Sequence, residues 1–71
     1  MTENYSTIFV NGEPFNCYDY MSIKNVLLYL DFDINNIVVE CNHQIVNKDK
    51  FDKFLLKSND QIEVITIVGG G

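Results

Sequence analysis

The chain has 71 residues, with ten acidic side chains, five lysines and a formal net charge of −5. This length allows one small domain, and the acidic balance argues against non-specific binding to nucleic acids or anionic membranes. Apolar residues make up 46% of the chain, which is too many for a disordered protein. No apolar run approaches the roughly 18 residues of a membrane span.

The N-terminal segment and the cysteine content predict a reducing, intracellular environment. Residues 1–6 are polar and include Glu3, unlike a secretory signal. Cys17 and Cys41 are too few for the disulfide framework of a small secreted domain. The chain lacks alanine and arginine but has nine asparagines and eight isoleucines, a composition typical of AT-rich coding sequences. We therefore expect a cytoplasmic location, or the plastid stroma if the chain is plastid-encoded.

The first predicted element is a β-hairpin. Residues 7–10 form an apolar, β-branched run that meets Asn11-Gly12, and both of these residues tolerate positive φ. Residues 15–18 form the predicted return strand. Pro14 is expected at a sheet edge, where its missing N–H does least harm.

A single main helix is predicted next, over about residues 22–32. Ser22 is a favourable N-cap residue. Apolar side chains then recur at the spacing of one helix face, namely Ile23, Val26, Leu27 and Leu30. The helix is expected to end near residues 31–33.

The second half of the chain is predicted to be mostly β-structure. Its elements are strands at 37–41 and 44–46 joined by a turn at Asn42-His43, a short helical turn at 47–54, a loop at 57–60 and a long strand at 61–68. The order ββαββ, helical turn, β predicts an α+β domain of the β-grasp type. We expect a mixed sheet of four to five strands with one main helix packed across it. If the first and last strands are neighbours, they should be parallel.

The last predicted strand has two different faces. Ile62, Val64, Thr66 and Val68 should face the core, whereas Gln61, Glu63, Ile65 and Ile67 should face outward. The outward face changes from polar to apolar toward the C-terminus, which is typical of a docking surface. We therefore predict that Ile65, Ile67 and the adjoining Val68 contact a partner.

Three of the four glycines form the C-terminal tail, Gly69-Gly70-Gly71, which follows the domain predicted for residues 1–68. We expect this tail to be flexible. Because glycine has no Cβ, Gly69 and Gly70 could pass through a narrow channel of a partner protein. The carboxylate of Gly71 would become reactive only after conversion to a good leaving group, such as an acyl-adenylate.

These features resemble the ThiS family, the sulfur carriers of thiamine biosynthesis. The resemblance extends from Thr7 onward. It rests on the element order, residues 42–46 (Asn-His-Gln-Ile-Val), the loop at residues 59–62 and the Ile-Val-Gly-Gly-Gly ending. Asn59 stands where the family often has glycine, and asparagine tolerates the same left-handed backbone.

The resemblance implies a carrier that is acted on by enzymes and is not itself an enzyme. A ThiF-type adenylating enzyme would use ATP and magnesium to activate the Gly71 carboxylate, so the domain itself binds no cofactor. A sulfur donor, usually a cysteine desulfurase, would convert the adenylate to a thiocarboxylate. ThiG would then use this sulfur to build the thiazole ring of thiamine.

Three other functions share some of these features. A MoaD-like small subunit of molybdopterin synthase would use the same thiocarboxylate with a different acceptor. A ubiquitin-like modifier would join Gly71 to lysines of target proteins. A plain interaction module would have an inert tail, so truncating the tail would leave its function intact.

The remaining reactive side chains are interpreted as structural. We expect Cys17 and Cys41 to be small buried hydrophobic residues and His43 to be a solvated turn residue. Asp31 and Asp33 are assigned to a solvated helix end, and Tyr18 and Tyr20 to packing. No catalytic residue and no metal site is predicted, because one histidine and two cysteines do not readily supply a ligand set.

Overall fold

A computed structural model describes residues 5–18 and 20–67. Two 3₁₀ turns, at Ile34–Asn36 and Lys48–Lys50, accompany one helix and five strands. The strands and helix are β1 (Tyr5–Val10), β2 (Glu13–Tyr18), α1 (Ile23–Tyr29), β3 (Ile37–Cys41), β4 (Gln44–Val46) and β5 (Gln61–Thr66). The predicted element order is therefore confirmed, although β1 and β2 begin two residues earlier than expected and β5 ends two residues earlier.

The five strands form one mixed sheet in the order β2-β1-β5-β3-β4. β1 and β5 are parallel neighbours, as predicted, and the other three pairings are antiparallel. Helix residues and strand residues share one hydrophobic core, in which Leu27, Val39 and Ile62 are almost completely buried. This arrangement confirms the α+β, β-grasp prediction.

The β1–β2 hairpin forms as its sequence predicts. Asn11 and Gly12 adopt φ values of 51° and 83°, in the left-handed region that asparagine and glycine tolerate. Pro14 lies opposite Phe9 in β2, which is an outer strand of the sheet. In an edge strand, not every N–H has a partner strand to which it can donate, so a residue without an N–H is accommodated there.

Helix α1 begins with a reciprocal cap. The hydroxyl oxygen of Ser22 accepts a hydrogen bond from the Asn25 N–H (3.1 Å), and Oδ1 of Asn25 accepts one from the Ser22 N–H (3.0 Å). Both donors would otherwise lack a partner at the start of a helix. The N-cap prediction for Ser22 is confirmed, whereas the part played by Asn25 was not anticipated.

Helix α1 ends earlier than predicted. Leu30 is the C-cap and Asp31 has φ 68°, so the chain reverses after Tyr29. The Phe32 N–H donates to the Leu27 carbonyl (2.9 Å) and the Asp31 N–H to the Leu28 carbonyl (3.1 Å). This is the Schellman pattern, which satisfies the last carbonyls of the helix. Leu30 is consequently 37% exposed, and its assignment to the buried helix face was wrong.

The two tyrosines before the helix differ in their environment. Tyr18 is half exposed but packs against Tyr5, with ring centroids 4.8 Å apart. Tyr20 is 85% exposed with φ 78°, so its predicted packing role was wrong. The left-handed backbone at Tyr20 directs the chain toward α1 and leaves the ring in solvent.

The only α-helix within residues 5–18 and 20–67 has seven residues, and it is neither long enough nor apolar enough to cross a membrane.

Candidate functional site

Strand β5 leads toward the predicted reactive tail and lies between β1 and β3. Its start is held on both sides. The Phe9 N–H donates to the Asp60 carbonyl (2.9 Å) and the Asn11 N–H to the Ile62 carbonyl (2.8 Å), while the Asn42 N–H on the β3 side donates to Gln61 (2.8 Å). The path of the chain toward its C-terminus is therefore set by the middle of the sheet.

The loop that enters β5 is fixed by a buried carboxylate. Asp60 is only 4% exposed; its Oδ1 accepts a hydrogen bond from Asn42 Nδ2 (3.0 Å) and its Oδ2 accepts one from the Lys57 N–H (2.8 Å). Asn59 adopts φ 70°, in agreement with the prediction that asparagine tolerates a left-handed backbone here. Sequence reasoning identified this loop but missed the burial of Asp60, because a lone aspartate in a polar loop is usually solvated.

The inward face of β5 is shorter than predicted. Ile62 and Val64 are buried as expected, but Thr66 is exposed, so its core assignment was wrong. The paired register of β1 and β5 ends at Val10 and Ile62. Thr66 lies beyond this overlap, where β5 has a strand partner only on the β3 side.

The outward face of β5 carries the predicted apolar patch. Ile65 is 51% exposed and Ile67 is 53% exposed. Ile67 lies just past β5, but its N–H donates to the Asn36 carbonyl (2.8 Å) and so continues the ladder with the segment before β3. Two apolar side chains are therefore presented to solvent where the chain leaves the sheet.

The other predicted site residues lie outside the described part of the chain. Val68 was predicted to face the core and to contact a partner, Gly69 and Gly70 to pass through a channel, and Gly71 to react. These four assignments stay predictions. The division into a domain at 1–68 and a tail at 69–71 stays a prediction as well.

Both cysteines are buried, as predicted, with 1% exposure for Cys17 and 4% for Cys41. Burial raises the pKa of the Cys41 thiol to about 11, and the nearby Asp60 carboxylate adds to this increase. A thiol in such an environment is a poor nucleophile at neutral pH, because the thiolate is the reactive form.

The remaining polar candidates are turn residues. His43 is exposed with φ 70°, as expected for a turn. Asp33 is exposed and caps the Ile34–Asn36 turn by accepting a hydrogen bond from the Asn35 N–H (3.0 Å), a role that the sequence analysis did not assign. No group of three or more histidine, cysteine or acidic side chains that could hold a metal ion occurs within residues 5–18 and 20–67.

Comparison with known proteins identifies the family. The model of the ThiS family matches residues 8–71. The chain belongs to the ThiS family. The crystal structure of the thiamine biosynthesis protein ThiS from Geobacter metallireducens aligns with a TM-score of 0.78 and 25% identity, over 92% of this chain and 99% of that one.

Two similar sequences place this ThiS-family chain among its relatives. The protein ycf40 of Pyropia yezoensis is 42% identical over 71 residues, which is the full length of both chains. A thiazole synthase of Magnetococcus marinus is 34% identical over 64 residues, covering 90% of this chain but only 20% of that protein. The part of that thiazole synthase that is similar to this chain is therefore about a fifth of its length.

Proposed function

We propose that this ThiS-family chain is a sulfur carrier of thiamine biosynthesis whose Gly71 carboxylate is converted to a thiocarboxylate. The observation that carries the proposal is the family match, which runs from residue 8 to residue 71 and so includes Gly71. The exposed Ile65 and Ile67 support it, because a partner that acts on the terminus needs a surface to hold nearby.

The proposed chemistry requires a free terminal carboxylate. A carboxylate oxygen of Gly71 attacks the α-phosphorus of ATP on an adenylating enzyme, which releases pyrophosphate and leaves an acyl-adenylate. A persulfide sulfur then attacks the acyl carbon and AMP leaves. Reduction of the remaining S–S bond by a thiol yields the thiocarboxylate. ATP and magnesium belong to the enzyme in this scheme, and the carrier contributes the reacting group and catalyses nothing.

The expected partners are a ThiF-type adenylating enzyme, a sulfur donor such as a cysteine desulfurase, and the thiazole synthase ThiG. The similarity to a segment of the Magnetococcus marinus thiazole synthase favours ThiG over a molybdopterin synthase as the sulfur acceptor. Ile65, Ile67 and Val68 are proposed to contact the adenylating enzyme. A cytoplasmic or plastid-stromal location stays a prediction.

Intact-mass spectrometry tests the proposal directly. The chain is incubated with ATP, magnesium, a ThiF-type enzyme and a sulfur donor, and we expect one oxygen to be replaced by sulfur at Gly71. Deleting Gly71, or adding one bulky residue after it, should abolish the mass change without unfolding the domain. A change that maps to Cys17 or Cys41 would falsify the mechanism, and conjugates to lysines of other proteins would indicate a ubiquitin-like modifier.

A second variant tests the passage of the tail through a channel. Gly70→Val adds a side chain that should collide with a channel sized for bare backbone. We expect thiocarboxylate formation to be lost while far-UV circular dichroism is unchanged. Ser58→Val, in an exposed loop of the same chain, is the matched control and should react like the wild type. Equal activity of both variants would rule out a narrow channel.

A further inference from the structure

The charges on the described strands all have the same sign. Only three residues of β1–β5 are charged, and all three are glutamates: Glu13, Glu40 and Glu63. None of the five lysines lies in a strand, and four of them lie within residues 48–57, the segment that connects β4 to β5. The helix and this connecting segment carry buried core residues such as Phe51 and Leu56 on one side of the sheet. Glu40 and Glu63 alternate with buried residues of β3 and β5 and so lie on the opposite, outer face of the sheet, whereas Glu13 is paired with the buried Val10 and shares its inner face. Within the described strands, the charges on the outer face are therefore only negative.

Two of the three glutamates are direct cross-strand neighbours. Glu40 in β3 is paired with Glu63 in β5. Side chains at such positions have Cβ atoms about 4.5–5.5 Å apart, and like charges directly opposite each other destabilise a sheet. The positions around them on the same face are uncharged. They are Gln61 and Ile65 in β5, Val38 and Asn42 along β3, and Ile45 opposite Glu40 in β4.

The acidic pair adjoins the apolar surface at the end of β5. Ile65 is paired with Val38, one step along the same face from Glu63 and Glu40. Ile45, on the other side of Glu40, is 69% exposed. Apolar side chains thus flank a pair of carboxylates on a sheet face that lies opposite the helix. This combination is complementary to a protein surface that is apolar and carries a basic side chain.

We propose that this outer face binds the adenylating enzyme, with a lysine or arginine of that enzyme placed between the carboxylates of Glu40 and Glu63. The proposal rests on the proposed function and adds the chemistry by which the enzyme recognises the carrier. A cation at this position would offset the like charges of two glutamates that lie directly opposite each other. Ile65 lies on the same face, two residues after Glu63 in β5. Binding at this face would therefore place the C-terminus of β5 at the enzyme.

Neutral substitutions test the proposal in the full-length chain. Glu40→Gln and Glu63→Gln each remove one charge without changing side-chain size, and Glu13→Gln is a control with the same change in net charge in the edge strand β2. Affinity for a ThiF-type enzyme is measured by titration without ATP at low and at high salt. We expect each of the first two variants to bind about two- to fivefold more weakly at low salt, and this difference to shrink at high salt.

Thermal unfolding of the isolated chain provides the second readout. Because each substitution removes a like-charge contact, Glu40→Gln and Glu63→Gln should unfold at the same temperature as the wild type or higher. Weaker binding by a protein that is equally or more stable cannot be explained by misfolding. Unchanged affinity in both variants, or an equal loss in Glu13→Gln, would overturn the proposal.

Two further outcomes are distinguishable in the same experiments. If the wild type binds the enzyme but forms no thiocarboxylate when ATP and a sulfur donor are added, the proposed function fails while the docking proposal stands. If the chain instead forms dimers in analytical ultracentrifugation and Glu40→Gln abolishes them, the face binds a second copy and the docking proposal is wrong.

Discussion

The side-chain oxygen of Asn11 accepts a hydrogen bond from the Val64 N–H at 2.8 Å, although 53 residues separate them in the chain. β1 and β5 are paired through only two residue pairs, so this bond takes the place of the next rung in the ladder. Asn11 also supplies the left-handed turn of the first hairpin. One residue therefore serves both the start of the sheet and its last strand.

Two substitutions at Asn11 test these two roles together. Asn11→Ala removes the acceptor and places alanine at positive φ, so we expect a loss of about 2 kcal/mol in the free energy of unfolding. Asn11→Asp keeps an oxygen acceptor and a residue that tolerates the left-handed region, and should cost less than about 1 kcal/mol. Urea denaturation measures both values, and equal losses would contradict the importance assigned to the oxygen acceptor and to the tolerance of positive φ at this position.

The helix offers a matched pair of leucines. Leu27 is 1% exposed and Leu28 is 54% exposed. Leu27→Ala should lower the free energy of unfolding by roughly 2–5 kcal/mol because it leaves a cavity in the core. Leu28→Ala should change it by no more than about 0.5 kcal/mol. Chemical denaturation under identical conditions provides the comparison, and a loss below about 0.5 kcal/mol for Leu27→Ala would contradict the assigned core face.

The docking role of β5 is tested by placing a charge on its apolar surface. Ile65→Asp should weaken binding to the adenylating enzyme at least about tenfold, since a buried aspartate in an apolar contact lacks a partner. Leu55→Asp, at a position with nearly the same exposure (52% against 51%), is the control and should bind normally. Circular dichroism confirms folding of both variants. If the folded Ile65→Asp protein binds like the wild type, the docking surface lies elsewhere.

The buried thiol of Cys41 predicts a loss of stability at alkaline pH. Its pKa is raised from 9.0 to about 11 in the folded protein, so the unfolded chain releases this proton at lower pH than the folded one. The protonated Cys41 thiol makes its full contribution to the stability of the folded protein below pH 9.0, and this contribution is lost as the pH rises through about 11. The wild type should therefore lose stability relative to Cys41→Ala over this range. Denaturation curves of both proteins at each pH measure the difference in their free energies of unfolding. A difference that does not change with pH would contradict the raised pKa of the Cys41 thiol.

Much of the fold could be predicted because local signals and tertiary structure agree. The Asn11-Gly12 turn, the Ser22 cap and the buried positions of Leu27 and Ile62 are each specified by a short stretch of sequence. These signals depend on backbone geometry and on the period of apolar residues, which a sequence shows directly. The exposure of Ile65 could be predicted as well, because side chains alternate between the two faces of a strand.

The wrong assignments occur where a local pattern is interrupted by tertiary structure. Leu30 fits the helical period, but the left-handed backbone at Asp31 ends the helix, and aspartate is a weaker stop signal than glycine. Thr66 fits the strand alternation, but β1 no longer runs beside it. The burial of Asp60 depends on Asn42, 18 residues away, so no local window of the sequence contains both partners.

The outer strands of the sheet also bear on how the protein behaves at high concentration. β2 contains Pro14, which has no N–H to offer another chain, and β4 has only three residues. Long, regular, unpaired edges are the usual starting points of strand-to-strand aggregation, and short or proline-containing edges prevent it. Both edges formed by the described strands are therefore protected. We expect the domain to resist aggregation even when its outer face is not covered by a partner.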